Sequence, residues 1–245
     1  DVFAEAYIFF LINEHAASIP PDGASRLLLE GYRAGKVNFI NEVTNSNKND
    51  EIFSMTISER LANNSKIWAN KIKDFNESSG GKISIRAMAK IIQPLYKLVD
   101  KNLKEINSSR KAEDVVYETV EAYWVGFKSL YPSLFSPKTQ KDYGILKSSQ
   151  SEVMMRILRY IVELSIHGEK LGGPLNDPKV HKQLLSKAFN GFTDINGAGA
   201  SVKNERLWLK GEAGSMGQYT SASAKANISS RITKRLDVAL GRPTI

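Results

Sequence analysis

The chain has 245 residues, of which 42% are hydrophobic and 24% charged, a composition typical of folded proteins with one large hydrophobic core or two smaller ones. It contains no cysteine, which excludes disulfide frameworks, zinc–thiolate sites and cysteine nucleophiles and favours a reducing, cytoplasmic location. Apolar runs such as residues 6–12 are too short to span a bilayer and follow no signal-peptide pattern, so we expect neither membrane insertion nor secretion.

Positive charge is concentrated near the C-terminus. Residues 1–80 carry 8 Lys and Arg against 11 Asp and Glu, whereas residues 181–245 carry 10 against 4, which places +6 of the net charge of +8 in the last quarter. This asymmetry predicts an anionic partner there, nucleic acid being the commonest, with a solvated basic surface as the alternative.

The first predicted helix covers residues 4–13 and is apolar on nearly every side, which is typical of a helix that is buried or covered by another segment. A second helix starts at Pro20 and Pro21, because proline suits a first helical turn, and Asp22 suits its positive end. Since the chain begins at Asp1 inside the first helix, we expect a further N-terminal domain of the same protein before it.

The next segments alternate loops and helices. Residues 41–50 are polar and predict a loop, and an apolar helical pattern follows up to Leu61. Residues 76–81 have the most flexible composition in the chain. A short β-hairpin near residues 75–85, with Lys82–Ile85 as its second arm, is compatible with this pattern.

Long helices dominate the middle of the chain. Ser84 is a predicted N-cap for a helix that runs to about Ile106 with Pro94 inside it, and a second helix ends before Pro132. The short linker between the two predicts antiparallel packing. Residues 151–167 form the predicted central core helix.

Asp177 and Pro178 predict a further helix start, and a basic helix over Ser221–Leu240 closes the chain after two Gly-rich loops. The pattern therefore predicts a mainly α fold, a multi-helix globular bundle with long Gly/Ser/Asn-rich loops. We expect residues 1–170 to form a helical core domain and residues 171–245 a basic helical extension packed on the same core.

Catalytic and metal-binding patterns are weak. The histidines have no metal-ligand spacing, and residues 211–217 lack the Lys-Ser/Thr ending of a phosphate-binding loop. Glu118 with Glu121, or Glu152 with Arg156, could act as a catalytic pair, but solvated helix-surface charge is the favoured interpretation. No catalytic residue, metal or cofactor is predicted.

The C-terminal basic residues form the candidate nucleic-acid-binding set. Their side chains can bind phosphates, and one indole can stack on a base. The set is Lys203, Arg206, Trp208, Lys210, Lys225, Arg231, Lys234 and Arg235. In the final helix Arg231, Lys234 and Arg235 share one face, with a solvated basic face as the alternative interpretation.

Several short motifs resemble, in order, those of the DGQHR-domain proteins of the ParB/sulfiredoxin-like superfamily, which include the DndB-type proteins of DNA-modification and phage-defence clusters. They are F-x-x-I-N at residues 9–13, I-P-P at 19–21, I-S-I-R-A-M at 83–88, A-Y-W-x-x-F at 122–127 and L-K-S-S at 146–149. The resemblance covers most of residues 4–165 and implies the C-terminal helical part of such a protein.

The DGQHR signature itself is absent from the chain. Residues 22–26 begin with Asp-Gly and end with Arg, but they follow the F-x-x-I-N motif, where the signature does not belong. No family catalytic residue can therefore be assigned.

The resemblance implies a DNA-associated binding or regulatory module. The alternatives are a helical scaffold of a nucleotide-dependent enzyme whose catalytic motif lies upstream, or a protein-interaction module that docks through its first helix.

Overall fold

A computed structural model of the chain describes residues 5, 21–36, 38, 41, 48–73, 83–106, 109–139, 142–195, 197–200, 205–210 and 219–243. The described part is mainly helical and globular, which confirms the predicted fold class. Its α-helices are α1 Pro21–Arg33, α2 Asn49–Asn64, α3 Ile85–Lys101, α4 Ala112–Leu130, α5 Ser148–Ile166, α6 Pro178–Phe189 and α7 Ala222–Ala239. Its strands are β1 Ile72–Lys73, β2 Ile83–Ser84, β3 Phe192–Thr193 and β4 Gly199–Ala200, and 3-10 turns cover Pro132–Phe135 and Arg206–Trp208. The predicted first helix at residues 4–13 lies outside the described residues except for Glu5.

Six helices pack in two layers of three. In one layer α4 lies between α2 and α6, and in the other α5 lies between α3 and α7. The layers meet where α2 packs on α3 and α6 packs on α7, and α1 adds to the outside of α2. None of the helices described combines the length and apolar character that crossing a membrane requires.

Side-chain caps begin three helices at the predicted positions. The hydroxyl or carboxylate oxygen of each cap accepts a backbone N–H of the first turn and satisfies a donor that the helix itself cannot pair. The pairs are Ser84 with Ala87 at 3.1 Å, Asp177 with Lys179 at 2.8 Å and Ser221 with Ala224 at 3.2 Å. These starts confirm a local signal that depends only on neighbouring residues.

Aromatic side chains join the two ends of the chain in one core. The Trp68 and Trp124 rings meet edge to face at 4.9 Å, and the Trp208 ring lies 5.3 Å from that of Phe127. Buried side chains from Leu28 to Leu236 belong to one contiguous hydrophobic cluster. The cluster therefore includes residues on both sides of the predicted 170/171 domain boundary, which itself stays a prediction.

A glycine sets the closest approach between α4 and α6. A Cβ on Gly126 would lie 2.5 Å from the carbonyl oxygen of Pro178 and 2.9 Å from the backbone nitrogen of Lys182. Because both of these are backbone atoms, no side-chain rotation can relieve the overlap. Gly126 therefore allows the start of α6 to pack directly on the α4 backbone.

The short strands differ from the sequence prediction. β1 and β2 pair in parallel, with Ile72 opposite Ile83, whereas the first arm of the predicted hairpin near residues 75–85 lies outside the described residues, so that hairpin stays a prediction. A hairpin requires antiparallel strands, and here the chain returns in the same direction before it enters α3. The antiparallel hairpin is β3–β4, in a stretch predicted as a Gly/Ala-rich loop, where Asp194 accepts the Ala198 N–H at 2.8 Å.

Candidate nucleic-acid interface

Helix α7 carries Lys234 opposite its apolar stripe, and Arg231 and Arg235 beside that stripe. Ile228, Ile232 and Leu236 recur every fourth residue and are buried. They face α5 and α6, which flank α7. This stripe fixes the rotation of α7 and leaves Arg231, Lys234 and Arg235 on adjoining positions next to it; we call these three residues the α7 basic face.

Arg235 caps the C-terminal end of α6. Its Nη2 donates to the carbonyl oxygen of Asn190 at 2.6 Å, and its Nε donates to that of Ala188 at 3.2 Å. The last carbonyls of a helix have no intrahelical donor and carry its negative partial charge, so a guanidinium there is doubly favourable. Arg235 thus has a structural role in addition to its exposed positive charge.

Arg231 holds the β3–β4 hairpin. Its Nη2 donates to the carbonyl oxygen of Thr193 at 3.1 Å, and its guanidinium carbon lies 5.5 Å from the centroid of the Phe192 ring. The second contact is within the range of a cation–π interaction. The hairpin and the middle of α7 are therefore joined through one half-buried side chain.

The α7 basic face keeps its full formal charge. Arg231 and Arg235 bond to backbone carbonyls, which are neutral, and neither forms an ion pair with a carboxylate of the described residues. Lys234 is exposed and bonds to no described residue. Three positive charges therefore lie within two helical turns, and no carboxylate of the described residues neutralises them.

Lys225 lies on another side of α7. It forms an ion pair with Glu152 of α5, and its side chain is only 14% exposed. Burial acts to raise the pKa of Glu152, but hydrogen bonds from Lys225 and Arg156 outweigh burial and hold that pKa below its ordinary value. Lys225 connects α7 to α5 and is not part of the α7 basic face.

Trp208 is unavailable for base stacking. The side chain is fully buried, with its ring 4.5 Å from that of Tyr131 and 5.2 Å from that of Phe189. A base could reach the indole only if this aromatic core opened. The prediction that Trp208 contacts nucleic acid is therefore wrong for this fold, since the residue packs between segments far apart in sequence.

The other residues of the candidate nucleic-acid-binding set lie near the β3–β4 hairpin or outside the described residues. Arg206 and Lys210 are exposed at the two ends of the segment around the second 3-10 turn, and that turn contacts β4. The hairpin thus lies between this turn and Arg231 of α7. Lys203 lies outside the described residues.

Lys187 is an exposed cation that sequence reasoning missed. It lies in the last turn of α6, next to the carbonyl that Arg235 caps. The signal available in the sequence was a lysine just before Asn190 and Gly191, which end the helix. Its position beside α7 depends on the packing of α6 against α7.

The candidate carboxylate pairs are not assembled for catalysis. Glu118 accepts two hydrogen bonds of 2.6 Å from Arg110, which lower its pKa. Glu121 instead accepts the Ser65 hydroxyl at 2.5 Å and the Lys66 N–H at 2.8 Å. Each carboxylate therefore holds a different loop. Among the residues described, no group of His, Cys, Asp and Glu could hold a metal ion.

No protein-family model, curated protein sequence or solved structure matches this chain. The resemblance to DGQHR-domain proteins therefore stays a prediction.

Proposed function

We propose that this chain is a DNA-associated binding module that contacts duplex phosphates through the α7 basic face. One observation carries the proposal: Arg231, Lys234 and Arg235 hold three positive charges on one helix side, and no described carboxylate pairs with them. A duplex releases condensed counterions when cations replace them at its phosphates. Such a face attracts DNA without reading its sequence.

The anchoring of the two arginines favours this role. Each guanidinium uses only part of its N–H donors on the carbonyls of Thr193, Ala188 and Asn190. The unused donors can bind phosphate oxygens, while the carbonyl bonds limit the side-chain freedom lost on binding. Lys234 adds a mobile charge between them, and Lys187, Arg206 and Lys210 are exposed cations of neighbouring segments.

The biological setting of the proposal rests on the resemblance alone. If the chain is the helical part of a DGQHR-domain protein, the module serves a DNA-modification or phage-defence system. Its contact with DNA would then keep that system on its substrate. The proposed DNA contact of α7 does not depend on this setting, because it follows only from the charges of the α7 basic face.

The test compares two lysines that differ only in location. Lys234→Glu changes the α7 basic face without removing a helix cap, and Lys128→Glu makes the same charge change at an exposed position of α4, in the other layer. Fluorescence anisotropy of a labelled duplex is measured over a series of salt concentrations.

We expect Lys234→Glu to weaken binding about tenfold at low salt and to reduce the slope of log affinity against log salt by about 1. Lys128→Glu should change affinity by less than about twofold, since distant exposed charges are screened. Equal losses for the two variants would show that net charge alone drives binding, and the α7 basic face would have to be abandoned.

A further inference from the structure

A second polar site lies between α2 and α3. It is a pocket of about 240 Å³ lined by Glu51, Met55, Arg86, Ala89, Lys90 and Gln93. The three donors Arg86, Lys90 and Gln93 follow one another at helical spacing, so they share one side of α3. Met55 and Ala89 are buried and form an apolar floor.

Arg86 has no protein partner within the described structure. Its Nε is buried and lacks a hydrogen-bond acceptor, and its guanidinium forms no ion pair with a described residue. The start of α3 does not need it, because Ser84 already caps the helix. The Arg86 residue is half-buried, and a charged donor whose Nε is shielded from water gains from an acceptor that a ligand in the pocket would supply.

Among the described residues that line this pocket, Glu51 is the one carboxylate, and it pairs with Lys48 at 3.9 Å. Arg86 and Lys90 therefore give the pocket an excess of positive charge. Lys90 is exposed and separates the pocket from a second cleft, between α3 and α5.

The second cleft, of about 330 Å³, is less suited to an anion. Its two arginines are paired along α5: Arg156 donates to Glu152 at 2.9 Å and Arg159 to Glu163 at 3.0 Å. Its remaining lining is largely apolar, with Ile91, Pro94, Leu95 and Met155. The unpaired charge of Arg86 thus lies on the α2–α3 side of Lys90. The adjoining cleft offers space for the apolar part of a ligand.

We propose that the α2–α3 pocket binds the oxyanion group, a phosphate or a carboxylate, of a small molecule. Arg86 is the principal ligand, because a guanidinium can bind two oxygens of one group, and Lys90 and Gln93 complete the donor set. The pocket is smaller than most sites for drug-sized ligands and far too narrow for a duplex, so it receives a small anion. This site is separate from the proposed DNA contact on α7.

Calorimetric titration at constant ionic strength tests the site with two probes, inorganic phosphate and acetate. Arg86→Met removes the principal ligand and keeps the length of the side chain. Lys101→Met is the matched control, because it removes an exposed charge of the same helix outside the pocket. Chloride at the same ionic strength is the control anion, because it has no pair of oxygens for one guanidinium to bind.

We expect saturable binding of one probe to the unaltered chain, at least tenfold weaker in Arg86→Met and changed less than about twofold in Lys101→Met. Without a probe, Arg86→Met should melt at the same temperature as the unaltered chain or higher, because it loses an unpaired buried donor. Absence of saturable binding by both probes would overturn the proposal. So would unchanged affinity in Arg86→Met, or a large fall in its melting temperature, which would mark Arg86 as structural.

The two sites are separated by crossing the variants. Arg86→Met should keep DNA affinity and its salt dependence, and Lys234→Glu should keep the affinity for the small anion. A loss of DNA binding in Arg86→Met would place the pocket inside the nucleic-acid interface and would contradict a separate small-molecule site. Loss of DNA binding in Lys234→Glu alone leaves the pocket proposal unaffected.

Discussion

In the region formed by α6 and α7, which we call the α6–α7 region, Arg231 and Arg235 donate to backbone carbonyls. In the α2–α3 pocket, by contrast, the Nε of Arg86 has no acceptor among the described residues. Arg235 and Arg231 each join α7 to an earlier segment of the chain. Arg86 has a buried Nε but bonds to no side chain or carbonyl of the described residues. In the first region the fold supplies carbonyl acceptors for part of each guanidinium, whereas in the second the described residues supply no acceptor for the Nε of Arg86.

This difference separates two uses of one residue type. A charged donor that meets a carbonyl contributes about 1.5–3 kcal/mol, less where water screens it, whereas a buried donor left unpaired costs about 1–3 kcal/mol. A donor without an acceptor in the fold is therefore expected where a ligand supplies the acceptor. A donor paired within the fold is expected where it joins two segments of the chain. Substitutions in the two regions should accordingly have opposite effects on stability.

The largest expected effect concerns His181, at the start of the α6–α7 region. Its Nε2 donates to the carbonyl of Leu175 at 2.6 Å, and burial lowers its pKa from 6.5 to about 4. The folded protein keeps the imidazole neutral while the unfolded chain protonates it near pH 6.5. Its contribution is therefore complete above pH 6.5 and is lost as the pH falls towards 4.

Between pH 7 and pH 5 this one group should lower the free energy of unfolding by about 2 kcal/mol. Urea unfolding at several pH values measures the fall, with His181→Gln as a variant that keeps a donor and does not titrate. Identical pH slopes for the two proteins would mean that His181 gains a proton in the folded state as easily as in the unfolded chain.

Arg235→Gln should cost about 1.5 kcal/mol of stability, because both capping bonds to α6 are lost at a partly solvated site. Lys234→Gln is its natural control: it removes the same charge from the neighbouring position, but no carbonyl contact. We expect Lys234→Gln to stay within about 0.5 kcal/mol of the unaltered chain. Chemical denaturation of both variants measures the difference, and equal costs would show that Arg235 acts through charge and not as a cap.

Lys225→Met should destabilise the chain by about 1 kcal/mol at pH 7, because Glu152 loses one of two cationic partners at a mostly buried pair. The depressed pKa of Glu152 means that the pair stabilises the fold above pH 4.5 and less as the pH falls through the lowered pKa. The cost of the substitution should therefore shrink in acid. A cost that stays constant from pH 7 to below pH 4.5 would assign it to packing of the lysine stem.

Local signals in the sequence predicted the helices well. Ser84, Asp177 and Ser221 act through the next turn of the chain, and the spacing of Ile228, Ile232 and Leu236 identifies the buried side of α7. The direction of β1 against β2 has no such signal. It depends on how the chain returns to pair Ile83 with Ile72.

The roles of the basic residues were only partly predictable. Helical spacing placed Arg231, Lys234 and Arg235 on one side of α7. The carbonyls that Arg235 caps belong to the end of α6, far earlier in the sequence, so helical spacing within α7 could not indicate this contact. Trp208 was assigned to the wrong environment for the same reason, since its aromatic neighbours come from α4 and α6 and from Tyr131.

Arg86 was missed although the sequence contains a signal for it. None of the residues three or four positions away on either side is acidic, so α3 offers it no partner of its own. What the sequence could not show is that the Nε of Arg86 is buried without an acceptor beside a pocket that α2 and α3 line together.

The smallest expected effect gives the sharpest contrast between the two regions. Arg231→Met removes one carbonyl bond and the ring contact with Phe192 and should cost about 1 kcal/mol. Arg86→Met makes the same chemical change where no bond exists and should cost nothing or stabilise by up to about 1 kcal/mol. Unfolding of both variants in anion-free buffer measures the two values. If Arg86→Met proved the more destabilising of the two, the Nε of Arg86 would have a partner in the folded chain. The α6–α7 region and the α2–α3 pocket would then no longer differ in whether the fold provides an acceptor for the arginine.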